Sequence, residues 1–161
     1  MKHIYIALLL SLSVHAVEIG KVPPKVTLSV GDSGKSWSSQ SLRRGKHLVI
    51  YMDPDERKNV EPLLQKIQHL KTKRFTTVAI VNLAATWMPN SVLISKLKEK
   101  QKSMKKTIYL FDKQKTLVKK WGLKDDNTIV MVLGPKGKLK LKKTGKLSGS
   151  DVREILKKLQ S

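Results

Sequence analysis

"YMDPDERKNVEPLL" occupies residues 51–64, where an apolar run gives way first to charge and then to helical spacing. The run is "HLVIYM" (47–52), apolar and rich in strand formers, bounded by Gly45 and Pro54; it reads as a buried strand. Asp53 then supplies a helix start. It stands at the N-cap position, with Pro54 at the first helical position and Glu56 three residues on to close a capping box. Val60, Leu63, Leu64, Ile67 and Leu70 recur at helical spacing, which predicts a helix from Pro54 to Leu70. Pro62 falls inside that pattern and removes a backbone donor, so the helix is expected to kink there.

Outward from this stretch the chain alternates strand and helix. "KVTLSV" and "FTTVAIV" (75–81) read as strands, the first followed by the turn "GDSGK". "SVLISKLKEKQKSMKK" reads as a helix with a basic outer face, "TIYLF" (107–111) as a strand and "QKTLVKKW" as a short helix. "TIVMVL" (128–133), the turn "GPKG" and "KLKLK" (138–142) predict a hairpin. In its second strand Leu139 and Leu141 are expected to point one way and the lysines the other, as on a sheet with one wet face. Ser148 and Asp151 form a capping box for a last helix, with Leu147 and Val152 placed for a hydrophobic staple and Val152, Ile155, Leu156 and Leu159 as its buried stripe. The pattern predicts one three-layer α/β domain with a mixed sheet.

The first sixteen residues do not belong to that domain. "MKHIYIALLLSLSVHA" has a basic start, an apolar run and a small-x-small ending at Val14-His15-Ala16, the form of a secretory signal peptide. The apolar run falls short of the ~20 residues a membrane span needs, so residues 17–161 are expected to be exported without an anchor; retention of the leader as an anchor is the rival reading. The chain has no cysteine, which excludes thiol nucleophiles, CxxC chemistry and cysteine-held metals. Its formal net charge is +21, and all but five of its 33 basic residues are lysine. Lysine is a hydrated point charge, whereas arginine is favoured where a planar fork reads phosphate or carboxylate. The excess therefore points to anionic surfaces met through salt-sensitive attraction, or to a solvated surface alone.

The kinked helix carries a resemblance. In thioredoxin-like proteins the redox helix starts as CxxC, and a proline follows five residues after the second cysteine. Pro62 matches that proline, and an ungapped count places Arg57 at the second cysteine and Pro54 at the first. The family's cis-proline position falls on Thr128, where a trans bond is expected. The segments "TTVAIVN", "LFDKQKTLVKKWGL", "TIVMVLGPKGKLK" and "KTGKLSGSDVREIL" resemble the YtfJ family of small exported bacterial proteins that lack the CxxC. The resemblance implies a thioredoxin-like α/β/α sandwich of one domain over residues 17–161, and a periplasmic location. It implies no activity, because the function of that family is not established.

Ligands of open α/β sheets sit beyond the carboxyl ends of the strands. Loops 53–57, 82–90 and 124–128 should meet there, bringing Asp53, Asp55, Arg57, Trp87, Asn127 and Thr128 into one neighbourhood where an extended peptide can dock. The competing reading is that Asp53 and Glu56 only cap a helix and Trp87 packs on a loop. Asp53, Asp55, Asp125 and Asp126 offer hard oxygen ligands, but no calcium-loop spacing joins them, so neither metal nor cofactor is expected. Lys138, Lys140 and Lys142 form a second candidate, a patch for an anionic envelope surface. The lysine runs lack the interleaved aromatics that stacking on nucleic acid needs, which argues against that partner. The expected function is a non-enzymatic binding or accessory protein for a periplasmic peptide, protein or anionic component. The rival is a redox-family enzyme acting through an external thiol or a partner oxidoreductase.

Overall fold

The computed structural model describes residues 16–31, 33–70, 74–103 and 107–161. The signal-peptide reading of residues 1–16 thus lies, except for Ala16, outside the described residues. Seven strands form one mixed sheet in the order β2-β1-β5-β4-β3-β6-β7. The strands are β1 (Thr27–Val30), β2 (Ser36–Ser38), β3 (His47–Met52), β4 (Thr76–Asn82), β5 (Thr107–Asp112), β6 (Ile129–Leu133) and β7 (Leu139–Thr144). Among the described residues four α-helices accompany them: α1 (Glu61–Gln68), α2 (Asn90–Ser103), α3 (Thr116–Trp121) and α4 (Gly149–Gln160). β3, β4 and β5 run parallel, and β6 and β7 add an antiparallel hairpin beside β3.

The central strands β3 and β6 are buried along their whole length, because helices or chain cover both sheet faces. Alternate residues feed two cores. Leu48, Ile50, Ala79, Val81 and Val130 face the side that also holds Leu63, Ile67, Leu93 and Ile155 of α1, α2 and α4. Val49, Tyr51, Val78, Ile80 and Met131 face the side of Leu117 and Trp121 of α3. The lead-in before β1 belongs to this second side. Val17 N donates to Trp121 O at 2.9 Å, Trp121 Nε1 donates to Pro24 O at 2.8 Å, and Gly20 N donates to Leu139 O at 2.7 Å. Gly122 ends α3 with φ +59°, the left-handed conformation that glycine takes without strain, and it lies against Ala16.

The structure alters four local expectations. Residues 54–70 do not form one helix kinked at Pro62. A 3₁₀ helix, Pro54–Asn59, ends at Val60, and α1 begins at Glu61. Pro62 therefore stands in the first turn of α1, where a missing donor costs nothing. Asp53 does cap the start, accepting from Asp55 N at 2.9 Å, but Glu56 closes no box with it; the Glu56 carboxylate takes the Asn59 side-chain amide instead. β2 had no sequence signal, being three residues whose only large apolar side chain is Trp37.

The fourth change concerns the hairpin. Leu139 and Leu141 do not share a face: Leu139 packs with Leu133 in the α3-side core, and Leu141 packs with Val132 in the other. A register shift between Val132 and Leu133 inserts one extra residue of β7, and one residue reverses every later side chain. The last helix forms as expected. Ser148 and Asp151 make both bonds of the capping box, and Leu147 and Val152 lie in one core cluster. No peptide bond among the described residues is cis, Thr128 included.

Candidate functional site

The parallel order of β3, β4 and β5 puts their carboxyl ends at one end of the sheet. Hydrogen bonds tie the three loops there together. Thr128 Oγ1 donates to Glu56 O at 3.3 Å, Asn82 Nδ2 donates to Asp125 Oδ1 at 3.2 Å, and Thr86 Oγ1 donates to Asp55 Oδ1 at 3.4 Å. The six loop residues named from sequence therefore do stand at one end of the sheet, in two kinds of environment. Asp53 and Thr128 are buried and engaged internally, so they brace the loops. Asn127 is half-buried and donates to Asp125 O at 3.4 Å. Arg57 is half-exposed and pairs with Glu61 at 3.3 Å. Asp55 faces solvent, and Trp87 is 86 % exposed.

This end is acidic on a basic chain. Asp53, Asp55, Glu56, Glu61, Asp112, Asp125 and Asp126 gather here, seven of the twelve acidic residues. Burial raises the Asp53 carboxyl above its ordinary range; the Asp55 amide opposes this, and the Asp55, Asp126 and Glu56 charges add to it. Lys115 bonds Asp125 and holds that carboxyl below its usual range. Lys115 and Asp126 both have positive φ, 54° and 50°, so strained backbone flanks this pair on both loops.

Behind the loops lies a buried pair that the sequence reading missed. Asp112 has no exposed surface and accepts from Thr116 N at 2.7 Å and Leu117 N at 2.9 Å, so it anchors the start of α3. The Tyr51 hydroxyl donates to it at 3.5 Å, and burial, with the Asp112 charge next, pushes that phenol well above its ordinary range. The available signal was an aspartate at the end of a strand, four residues before a helix start.

Beside the strand ends, between α1 and α2, a cleft of about 220 Å³ opens over the sheet. Ala79, Val81 and Tyr109 form its floor, Leu64 and Leu93 its walls, and Arg57 stands at its mouth. Lys138, just before β7, and Lys140 and Lys142 within it lie elsewhere, exposed at the sheet's edge. Among the described residues no cluster of His, Asp or Glu could hold a metal ion, and no helix is long and apolar enough to cross a membrane.

A β3–α1 unit broken at the CxxC position, a parallel β3-β4-β5 core and a β6–β7 hairpin closed by α4 define a thioredoxin-like fold, here without a single cysteine. Solved structures agree on the fold. The chain superposes on the thioredoxin domain of a thiol-disulfide oxidoreductase from Bacteroides vulgatus with TM-score 0.63 and 21 % identity, over 89 % of this chain and 98 % of that one. For a putative thiol:disulfide interchange protein DsbE from Chlorobium tepidum the values are 0.64 and 15 %, over 90 % and 97 %. For the exposed lipoprotein thioredoxin of Streptococcus pneumoniae they are 0.59 and 16 %, over 84 % and 100 %. Residues 25–161 match the family described as bacterial protein of unknown function, YtfJ_HI0045, and the chain belongs to it. No curated protein matches the chain.

Proposed function

We propose that this chain is an exported, non-enzymatic binding or accessory protein of the periplasm that engages an extended segment of a protein partner at the strand-end surface. The observation that carries this reading is Trp87. It is exposed over nearly its whole surface, yet its loop is held in place: Thr86 Oγ1 donates to Asp55 and accepts from Met88 N at 3.2 Å. A large aromatic presented on a braced loop is the residue type that dominates protein interfaces. The Asp55 carboxylate, bonded to the neighbouring Thr86, favours a segment carrying a basic residue beside an apolar one.

The test is capture of a partner from a periplasmic extract, with Arg57→Ala/Trp87→Ala beside the wild type. Loss of the partner at every salt concentration is expected; capture by the double variant equal to the wild type sinks the reading. A second reading rests on the exposed Lys138, just before β7, and Lys140 and Lys142 within it, which suit an anionic envelope surface. Their attraction fades above ~0.15 M salt, so charge reversal there should weaken binding mainly at low salt. The redox rival predicts disulfide turnover. With no thiolate in the chain, insulin reduction by the pure protein should equal that of a heat-killed control.

A further inference from the structure

The cleft between α1 and α2 has a polarity of its own. Both helices are crossovers between parallel strands, so they run antiparallel to β3, β4 and β5. Glu61 and Leu93 therefore stand toward the strand ends and Gln68 toward the strand starts, with Lys96 and Leu97 about one turn further along α2 than Leu93. Its floor follows β4 from Thr77 to Val81, about 13 Å at ~3.3 Å per residue. The middle is apolar, formed by Leu64, Ala79, Val81, Leu93 and Leu97. The strand-start end is polar: Thr77, Thr107, Gln68 and Lys96 line it, and no acid does. Thr77 is 3 % exposed, and Lys96, on the surface, forms no ion pair among the described residues.

The cleft offers no main-chain partner to a peptide backbone. β4 is paired on both sides, and α1 and α2 use their main-chain groups internally. Each peptide group laid along the apolar floor would lose water without a main-chain replacement. An aliphatic chain with one polar end incurs no such cost. The volume, at ~30 Å³ per water-sized group, admits about seven such groups.

We propose that the α1–α2 cleft binds a medium-chain aliphatic carboxylate, its head held by Thr77, Gln68 and Lys96 and its tail lying over Ala79 and Val81. The charge of +21 steers such an anion toward the protein, and the Lys96 ammonium, with no ion pair among the described residues, fixes its direction. This site is separate from the Trp87 surface, and neither reading depends on the other.

The test is titration of the full-length mature protein with octanoate, followed by amide NMR. Saturable shifts confined to residues 77–81, 93–97 and 107–109 are expected, with octylamine giving none. Thr77→Val, nearly isosteric, and Lys96→Glu, on the surface, should each weaken octanoate about five-fold, the loss of one hydrogen bond or ion pair. Ala79→Leu should abolish binding by filling the floor, and its melting curve shows whether it is folded. Equal binding of octylamine, shifts that spread over the β7 lysines, or unchanged affinity in both head-end variants would each overturn the proposal. So would displacement of octanoate by an apolar peptide that shifts the same residues. Capture of a protein partner through Trp87 stays unaffected in all these cases, which keeps the two readings apart.

Discussion

On the α3 side of the sheet, Trp121 has no exposed surface, and the chain from Val17 to Pro24 is bonded over it. On the α1–α2 side, the same strands leave a cleft of about 220 Å³ over Ala79. The cause lies in the covering elements. α3 is six residues long, but Trp121 and Leu117 fill the space above Val49, Val78 and Ile80 together with the N-terminal segment. α2 is fourteen residues long, yet of its described side chains only Leu93 is buried, with Ile94 and Leu97 half-buried. Its remaining positions are largely lysine and other polar residues, which stay in water. Length of covering helix thus does not decide how well a sheet face is filled; the number of bulky apolar residues it brings does.

Truncation separates the two faces most strongly. Trp121→Ala should cost about 3–5 kcal/mol in chemical denaturation, whereas Leu97→Ala at the cleft wall should cost less than about 1 kcal/mol. Equal costs would mean that α2 is packed as tightly as α3. Enlargement reverses the comparison. Val78→Phe, overfilling the packed side, should destabilise by about 1–3 kcal/mol, while Ala79→Leu one residue away enters open space and should stay within about 1 kcal/mol of the wild type. Asp112→Asn tests what anchors α3 to the packed side. Loss of its charged cap should lower stability by about 1–2 kcal/mol, with loss of amide protection at Thr116 and Leu117 as the second readout.

The smallest expected effect is a pH dependence at the start of β3. Burial holds the His47 imidazole below its ordinary range, against the opposing bond between Nε2 and Arg44 O at 2.8 Å. Nδ1 is buried without a partner among the described residues. The folded chain therefore takes up this proton less readily than the unfolded one. Stability present above the unfolded value of ~6.5 should fall as pH drops through the folded value. His47→Gln should flatten the melting temperature between pH 7 and pH 5; an unchanged slope would place the dependence elsewhere.

Much of the fold was legible because its signals are local. Asp53 and Ser148 mark helix starts by cap chemistry, and "HLVIYM" and "TIVMVL" mark central strands by length and β-branched content. What escaped depends on long-range contacts. Pro62 reads as a kink inside a helix unless one knows that the chain breaks at Val60 two residues earlier. The alternation "KLKLK" cannot reveal that a bulge sends Leu139 and Leu141 to opposite cores. The loop residues were legible as neighbours because the topology gathers strand ends. Which of them face solvent was not, since Thr128 is buried by a partner 72 residues away, Glu56. The cleft left only a faint trace, the shortage of apolar residues in α2.

The sheet ends at β2 and β7, and at β7 the lead-in covers only the first residue, with Gly20 N donating to Leu139 O and Leu139 N to Lys21 O. An edge strand exposes unpaired main-chain groups that a second chain can join, and lysines projecting from it oppose that approach. Lys138, Lys140 and Lys142 stand at alternate positions of the β7 hairpin arm, all exposed. Two copies meeting edge to edge would bring these ammonium groups together before any hydrogen bond formed. The lysines that offer themselves to anions are thus also a guard against self-association. With threonine at the three positions, the hairpin would become a template on which concentrated protein could polymerise.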